Sequence, residues 1–158
     1  MSAGYTEFIE GFPTDRRAPG ARHEEVCCRL HAAVAVALGG MTICKLLAVR
    51  DEVTLDDGSR IRPDLAVVTV ATGKAFIVAE VIQAGDHSND TVVKKQLFES
   101  ARVPRLWMVD PRYDNVEVYH GTPDGLILRS ILAGREELTD PLLPQLRCVV
   151  DRLFGNVV

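Results

Sequence analysis

Residues 75–82, with the sequence AFIVAEVI, place one acidic side chain, Glu80, inside an otherwise apolar run of good strand formers. A short run that is apolar at consecutive positions and bounded by turn residues is typical of a central strand covered on both faces. The rest of the chain must therefore supply a layer on each side of a sheet. An ionised carboxylate in such a strand is costly unless a cation or hydrogen bonds compensate it. The run predicts a layered fold and makes Glu80 the first candidate functional residue.

The pattern of the other segments predicts an α/β fold with a mixed β-sheet flanked by helices. Pro19-Gly20 opens a helix that extends to about Leu38, with apolar residues at three- and four-residue steps, and a second helix is predicted over roughly 90–102. Turn residues separate the remaining β-type runs. The predicted strands are 42–49, 52–55, 65–70, 75–82, 106–109, 116–119 and 126–132, followed by an irregular Pro-containing stretch and a final element over 148–154.

The domain organisation follows from the absence of any repeat, linker or low-complexity tract in the sequence. A chain of 158 residues with 47% hydrophobic residues can bury the core of one ordinary domain without help from a metal or disulfides. The first 18 residues lack a clear period and are predicted to be a loosely ordered N-terminal arm. Residues 19–158 are predicted to form a single domain.

Composition favours a cytoplasmic protein. The longest apolar stretch, Ala32–Leu38, is too short to span a bilayer, and the polar N-terminus does not resemble a signal peptide, so no membrane contact is expected. The four cysteines include the vicinal pair Cys27-Cys28 and form no CxxC motif, which favours a reduced compartment over a disulfide framework.

The net charge of −4 argues against tight nonspecific binding to nucleic acid, which is mainly electrostatic. The acidic residues are concentrated in two segments, with a net charge of −3 over residues 1–15 and −4 over residues 51–59. Residues 91–113 carry +3. If both acidic segments are peripheral, the sequence still allows transient contact with nucleic acid at one basic edge.

Asp64 is the residue predicted to face Glu80. If the flanking strands form a hairpin about Thr72-Gly73, opposed residues have numbers that add to about 144, and Asp64 is opposite Glu80. Side chains opposed in this way have Cβ atoms about 5 Å apart, so two carboxylates repel unless a positive group lies between them. A divalent metal would resolve the conflict, and two hard oxygen ligands favour Mg²⁺ over zinc. The alternative is that Asp64 is an ordinary strand-entry residue after Pro63.

Lys94 is the candidate for the positive group that completes a catalytic site. It lies on the helix that follows the Glu80 strand, at the edge of the apolar stripe, whereas Lys95 is predicted to point toward solvent. A lysine near two metal-binding carboxylates could assist an attacking water and offset the charge of a phosphoryl transition state. A solvated surface lysine is the alternative.

Five segments carry a resemblance to a known family: Arg62–Val68, Val78–Ile82, Asp90 with Lys94, Val103–Pro111 and Val116–Tyr119. Together they resemble the Uma family of restriction endonuclease-like proteins, in the PD-(D/E)xK nuclease superfamily. Their order and spacing agree with the family from about His23 to Phe154. Two positions depart from the family, which commonly has Ser and Tyr where this chain has Gln83 and Phe98. The acidic and aromatic residues that usually precede the first helix of the family are not recognisable in residues 1–22.

The resemblance implies a restriction endonuclease-like fold and a metal-dependent nuclease acting on DNA. It implies Asp64, Glu80 and the backbone carbonyl of Val81 as ligands of Mg²⁺ or Mn²⁺, with Lys94 as a catalytic lysine that has moved from the strand to the helix. The usual lysine position, two residues after the acid, holds Ile82. Superfamily members often add a carboxylate from the first helix, which Glu25 or Glu24 could supply.

Other interpretations remain open. His23, Cys27 and His31 are four residues apart on the first helix and could form a zinc site, although buried cysteines on an Ala-rich helix usually pack in the core. His87 could approach the site from the loop before Lys94. His23, Asp90 and Gln83 are further candidates for contact with the site. A catalytically silent fold that serves nucleic-acid binding or protein assembly is the alternative function, and a homo-oligomer is also open.

Overall fold

The computed structural model describes residues 3–83, 85 and 88–156. Three helices and twelve strands are found within this part of the chain. The helices are α1 (Ala21–Leu38), α2 (Ser88–Ser100) and α3 (Val150–Leu153). The strands are β1 (Tyr5–Ile9), β2 (Phe12–Arg16), β3 (Cys44–Leu46), β4 (Val53–Thr54), β5 (Arg60–Ile61), β6 (Leu65–Thr69), β7 (Ala75–Val81), β8 (Arg105–Asp110), β9 (Asn115–Thr122), β10 (Gly125–Ala133), β11 (Glu137–Asp140) and β12 (Leu143–Val149).

The main sheet has six strands in the order β10-β9-β8-β7-β6-β3. The β7 strand is central, as its apolar sequence predicts. It runs antiparallel to β6 and parallel to β8, and α2 forms the crossover between the parallel pair. The sheet is therefore mixed, and the predicted fold class is confirmed.

Both faces of the main sheet are covered. On one face, α1 packs through Val26, Leu30 and Val34, each fully buried, in a core that includes Trp107 of β8. This is the stripe that the helical spacing predicts. On the other face, α2 packs through Leu97 and Phe98. Val93 of α2 is 39% exposed, because the buried side of the helix contains Lys94 in its place.

Residues 5–16 form a β-hairpin, so the prediction of a loosely ordered arm is wrong for this segment. The β1 and β2 strands pair from Tyr5↔Arg16 to Ile9↔Phe12, which leaves Glu10 and Gly11 as a two-residue turn. Both turn residues have positive φ, 52° and 83°, as a type I′ hairpin turn requires. The hairpin belongs to a second sheet with the order β2-β1-β5-β4.

A third sheet, formed by the hairpin β11-β12, replaces the irregular Pro-containing stretch that was expected near the C-terminus. Its strands pack against α1, with Leu138, Leu143 and Leu146 in the same core cluster. Cys44 and Cys148 are buried in strands, and all four cysteines are free. No helix among the described residues is long and apolar enough to cross a membrane.

Candidate active site

Asp64 and Glu80 lie at the same end of two neighbouring strands. The register of β6 and β7 runs through Leu65↔Ala79 and Ala66↔Val78, partners whose numbers add to 144 as the Thr72-Gly73 turn predicts. Asp64 immediately precedes β6 and continues this register opposite Glu80. Because side chains alternate along a strand, both acids project from the face that carries Ala66 and Val78, the face covered by α2. The two side chains line one cavity of about 220 Å³.

The Asp64 carboxylate is nearly inaccessible and receives three donors. Its Oδ2 accepts the backbone N–H of Val81 at 2.8 Å and lies 3.2 Å from His23 Nε2. Its Oδ1 accepts a hydrogen bond from Arg50 Nη1 at 3.1 Å. Burial alone would raise the pKa of Asp64, but the hydrogen bond and charge of His23, the charge of Lys94 and the Val81 N–H together lower it. Asp64 is therefore held as a carboxylate.

Glu80 and Lys94 form a buried ion pair, with Lys94 Nζ 3.0 Å from Glu80 Oε1. Burial raises the pKa of Glu80 to about 8, against the opposing effect of Lys94, and the neighbouring charges of Asp64 and Glu7 raise it further. Burial also acts to lower the pKa of Lys94, but Glu80 and Glu7 hold it above its ordinary value. Lys94 is 8% exposed, so it is not the solvated surface lysine that the sequence left open.

Glu7 is a member of the site that the sequence did not reveal. Its side chain is fully buried, with Oε1 2.7 Å from Arg16 Nε and 3.1 Å from Lys94 Nζ. Its Oε2 accepts the backbone N–H of Arg62 at 2.7 Å. The acidity of residues 1–15 is thus not wholly peripheral. The signal for this placement was the Glu10-Gly11 turn between β-type residues, which predicts a hairpin but not its docking site.

Arg50 is the second residue that sequence reasoning missed. Besides Asp64, its guanidinium contacts Glu24 Oε2 at 2.7 Å and lies 6.0 Å from the ring centre of Tyr5. Its φ of 59° is uncommon for a residue other than glycine, and such conformations persist only where surrounding contacts hold them. Tyr5 lines the same cavity, and burial raises the pKa of its phenol well above the usual range.

The residues proposed for zinc are rearranged by the fold. His23 Nδ1 lies 3.5 Å from Cys27 Sγ, but His31 Nε2 contacts the backbone oxygen of Asp64 at 2.8 Å instead. Ligand atoms of His23, Cys27 and Asp64 all lie within 4.8 Å of one another, so this group could hold a metal ion. However, Asp64 faces Nε2 of the His23 ring and Cys27 faces Nδ1. A single ion would bond to only one of these two nitrogens. Burial raises the pKa of the Cys27 thiol, which disfavours the thiolate that a metal needs.

The remaining predicted residues have different outcomes. Gln83 lines the cavity, and its Oε1 accepts the N–H of Gly20 at 3.0 Å. Val81, whose carbonyl is a predicted ligand, also lines the cavity. Glu25 is not brought to the site: its side chain is 58% exposed and lies 3.8 Å from Arg29. His87 and the side chain of Asp90 lie outside the described part of the chain.

Lys95, which was expected to point to solvent, instead lies against β9. Its Nζ donates to Tyr119 Oη at 3.0 Å and lies 4.5 Å from the centre of the same ring. Tyr119 Oη in turn donates to Glu117 Oε2 at 2.5 Å. The two adjacent lysines of α2 therefore have separate partners, and only Lys94 lines the cavity with Asp64 and Glu80.

Comparisons with known proteins identify the family and the fold of the chain. The Uma2 family, described as "Putative restriction endonuclease", matches residues 4–151, a range that includes the N-terminal hairpin. No curated protein matches the chain. Among solved structures, a putative nuclease belonging to DUF820 from Anabaena variabilis is similar, with a TM-score of 0.77 and 14% sequence identity over 95% of this chain and 89% of that chain. That likeness shows a shared fold, and the family match over most of the sequence shows that the chain belongs to the Uma2 family.

Proposed function

We propose that this protein is a metal-dependent nuclease that hydrolyses phosphodiester bonds of DNA. The observation that carries the proposal is the convergence of Asp64, Glu80 and Lys94 on one cavity, with both acids buried on the same face of the sheet. Burying two carboxylates together is costly, since like charges and desolvation both oppose it. A fold retains such a pair most readily when the two acids bind a cation and take part in a reaction.

The donor set suits a hard divalent ion. Asp64, Glu80 and the backbone carbonyl of Val81 would hold Mg²⁺ or Mn²⁺, because these ions prefer oxygen ligands and keep open positions for water and phosphate. The ionised state of Asp64, maintained by its donors, is the form that binds a cation. When bound, the ion supplies Lewis-acid activation of the phosphate and a more acidic water.

The side chains around the centre have separate tasks. Lys94 Nζ faces the cavity with its charge maintained by two carboxylates, and it offsets negative charge that develops on the phosphoryl group. Glu7 holds the same ammonium through its Oε1 at 3.1 Å and so helps to fix its position. Arg16 and Arg17 line the same cavity and provide positive charge for the DNA backbone. The free cysteines are in keeping with a cytoplasmic location.

The second candidate is a catalytically silent fold that binds nucleic acid or assembles with protein. It is favoured by the charge balance among the protein groups themselves, because Lys94 contacts both Glu7 and Glu80, and Arg50 contacts Asp64. Ion pairs complete without a metal are what a purely structural network would contain. Metal binding separates the two candidates, since only the nuclease proposal requires it.

The test is a cleavage assay on supercoiled plasmid and on single-stranded DNA, with Mg²⁺, with Mn²⁺ and with chelator. We expect metal-dependent nicking that is lost in Glu80→Gln, Asp64→Asn and Lys94→Met, each confirmed as folded by circular dichroism. Glu25→Gln is the matched control, because it makes the same chemical change at an exposed position of α1. Nicking that continues unchanged in Glu80→Gln would mean that the assigned site is wrong. A folded wild-type protein that shows neither cleavage nor Mn²⁺ binding would favour the silent fold.

A further inference from the structure

The Arg50 guanidinium lies beside the Asp64 carboxylate, at a position where a metal ion could otherwise bind. An ionised carboxylate has about four acceptor positions, two on each oxygen. Among the described residues, Val81 N–H and His23 Nε2 lie against Oδ2, and Arg50 Nη1 lies against Oδ1. Three positions are therefore taken, and the remaining one is on Oδ1, beside the guanidinium.

Two-metal nuclease sites place their ions about 3.5–4 Å apart, which requires a carboxylate that offers bonds to both ions. With three donors in place, Asp64 offers one bond. A guanidinium 3.1 Å from Oδ1 also adds a positive charge within a few ångströms of any ion bound there. We infer that the centre takes a single divalent ion, with the Arg50 guanidinium filling the place beside Asp64 that a second ion would need. This inference rests on the proposed metal-dependent function.

Arg50 is held in position by contacts that do not involve Asp64. Its Nη2 lies 2.7 Å from Glu24 Oε2, its N–H donates to the carbonyl of Pro63 at 3.1 Å, and its own carbonyl accepts Arg62 Nη1 at 3.1 Å. Only 12% of the Arg50 side chain is exposed. A cation anchored at both its backbone and its far nitrogen is not readily displaced when a metal binds.

The same arrangement gives Glu24 a task different from the one that the family resemblance implies. A carboxylate from the first helix was expected to add to the metal site, and Glu25 is exposed on the helix surface. Glu24 does reach toward the centre, but its Oε2 contacts Arg50. The helix therefore secures the positive charge beside Asp64, which agrees with a one-ion centre.

The experiment is a calorimetric titration of metal-free protein with Mn²⁺, in which ions at the centre are those whose binding is lost in Asp64→Asn. We expect one ion per chain for the wild type and for Arg50→Lys, which retains the charge. Arg50→Gln removes the charge and is expected to bind a second ion or to bind the first at least tenfold more tightly. Electron paramagnetic resonance of the Mn²⁺-saturated wild type is expected to show isolated ions without magnetic coupling.

Two coupled Mn²⁺ ions in the wild type would overturn the inference while leaving the proposed nuclease function in place. An Arg50→Gln protein that is folded and binds one ion with unchanged affinity would also overturn it. If Arg50→Gln does not fold, the wild-type stoichiometry and the resonance spectrum decide the question without it. A wild-type protein that binds no Mn²⁺ at the centre would instead refute the proposed function itself.

Discussion

Replacing Glu80 with Gln is expected to stabilise the metal-free protein. Burial raises the pKa of Glu80 from its usual value to about 8. Keeping this side chain ionised therefore has a free-energy cost in the folded protein that is absent from the unfolded chain. Each pKa unit corresponds to about 1.4 kcal/mol, which makes the full cost at pH 8 on the order of 4 kcal/mol. Gln has nearly the same shape and does not ionise, and its amide oxygen can still accept from Lys94.

The net gain is smaller than this cost, because the new amide group must also be satisfied and Lys94 loses one of its two anionic partners. A buried amide without full hydrogen bonding costs roughly 1–3 kcal/mol, so we expect Glu80→Gln to raise the free energy of unfolding by about 1–3 kcal/mol at pH 8. Lys94 keeps Glu7 at 3.1 Å, which limits the loss.

The pH dependence of this difference has a defined sign. Because the pKa of Glu80 is raised in the folded state, the contribution of this residue to stability is fully present below the ordinary pKa of a glutamate and is lost as the pH rises toward 8. Gln has no such dependence. The advantage of Glu80→Gln over the wild type is therefore expected to increase from pH 5 to pH 8 and then to become constant.

The assay is urea unfolding followed by circular dichroism, in buffer with chelator, at pH 5, 6.5 and 8. The exposed-site variant Glu25→Gln is the control and is expected to remain within about 0.5 kcal/mol of the wild type at each pH. Adding Mn²⁺ at about 100 times its dissociation constant should stabilise the wild type by about 2.7 kcal/mol and leave Glu80→Gln unchanged. The reasoning is refuted if Glu80→Gln is less stable than the wild type at pH 8, or if their difference does not vary with pH.

Three further predictions concern the interactions that position the site. Glu7→Gln leaves Arg16 and Lys94 without a shared carboxylate, so we expect it to lower the free energy of unfolding by about 3 kcal/mol in urea. The exposed-turn variant Glu10→Gln is the control. A loss below about 1 kcal/mol would contradict the buried network. Leu30→Ala removes a fully buried side chain of α1 and is expected to cost about 2–5 kcal/mol by thermal and urea unfolding, and a cost near zero would mean that α1 is not packed as described. The pKa of Asp110 is lowered by the hydrogen bonds and charge of Arg112, which outweigh burial. The stability lost in Asp110→Asn, roughly 1 kcal/mol at pH 7, should therefore begin to decrease below about pH 4 and disappear once the pH is below the lowered pKa. A difference that is the same at pH 3 as at pH 7 would exclude this cause.

The elements that the sequence predicted correctly depend on short-range patterns. The register of β6 and β7 follows from the turn at Thr72-Gly73, which joins strands that are neighbours in the chain, and this register was enough to place Asp64 opposite Glu80. The α1 helix follows from the spacing of apolar residues that one face must bury. Local geometry determined these features, so a single sequence sufficed to find them.

The features that were missed depend on contacts between distant segments. Glu7 meets the backbone of Arg62 and the side chain of Lys94 only because the N-terminal hairpin pairs with β5, and no local pattern specifies that docking. Arg50 is one of fourteen arginines in the chain, and nothing in its neighbours marks it as the one with positive φ beside Asp64. Both residues are charged groups buried by tertiary contacts, which periodicity and propensity do not predict.

The docking of the N-terminal hairpin also bears on the order in which the chain folds. Lys94 contacts the carboxylates of both Glu7 and Glu80. Its surroundings are therefore complete only after these two residues, which are far apart in the sequence, have come together. Contacts between residues so far apart in sequence generally form late in folding, because closing the chain between them costs entropy before the contact can stabilise the fold. A chain that is still being synthesised, or one that has only partly folded, would hold its lysine without the full set of partners. Completion of the centre would then coincide with the last steps of folding.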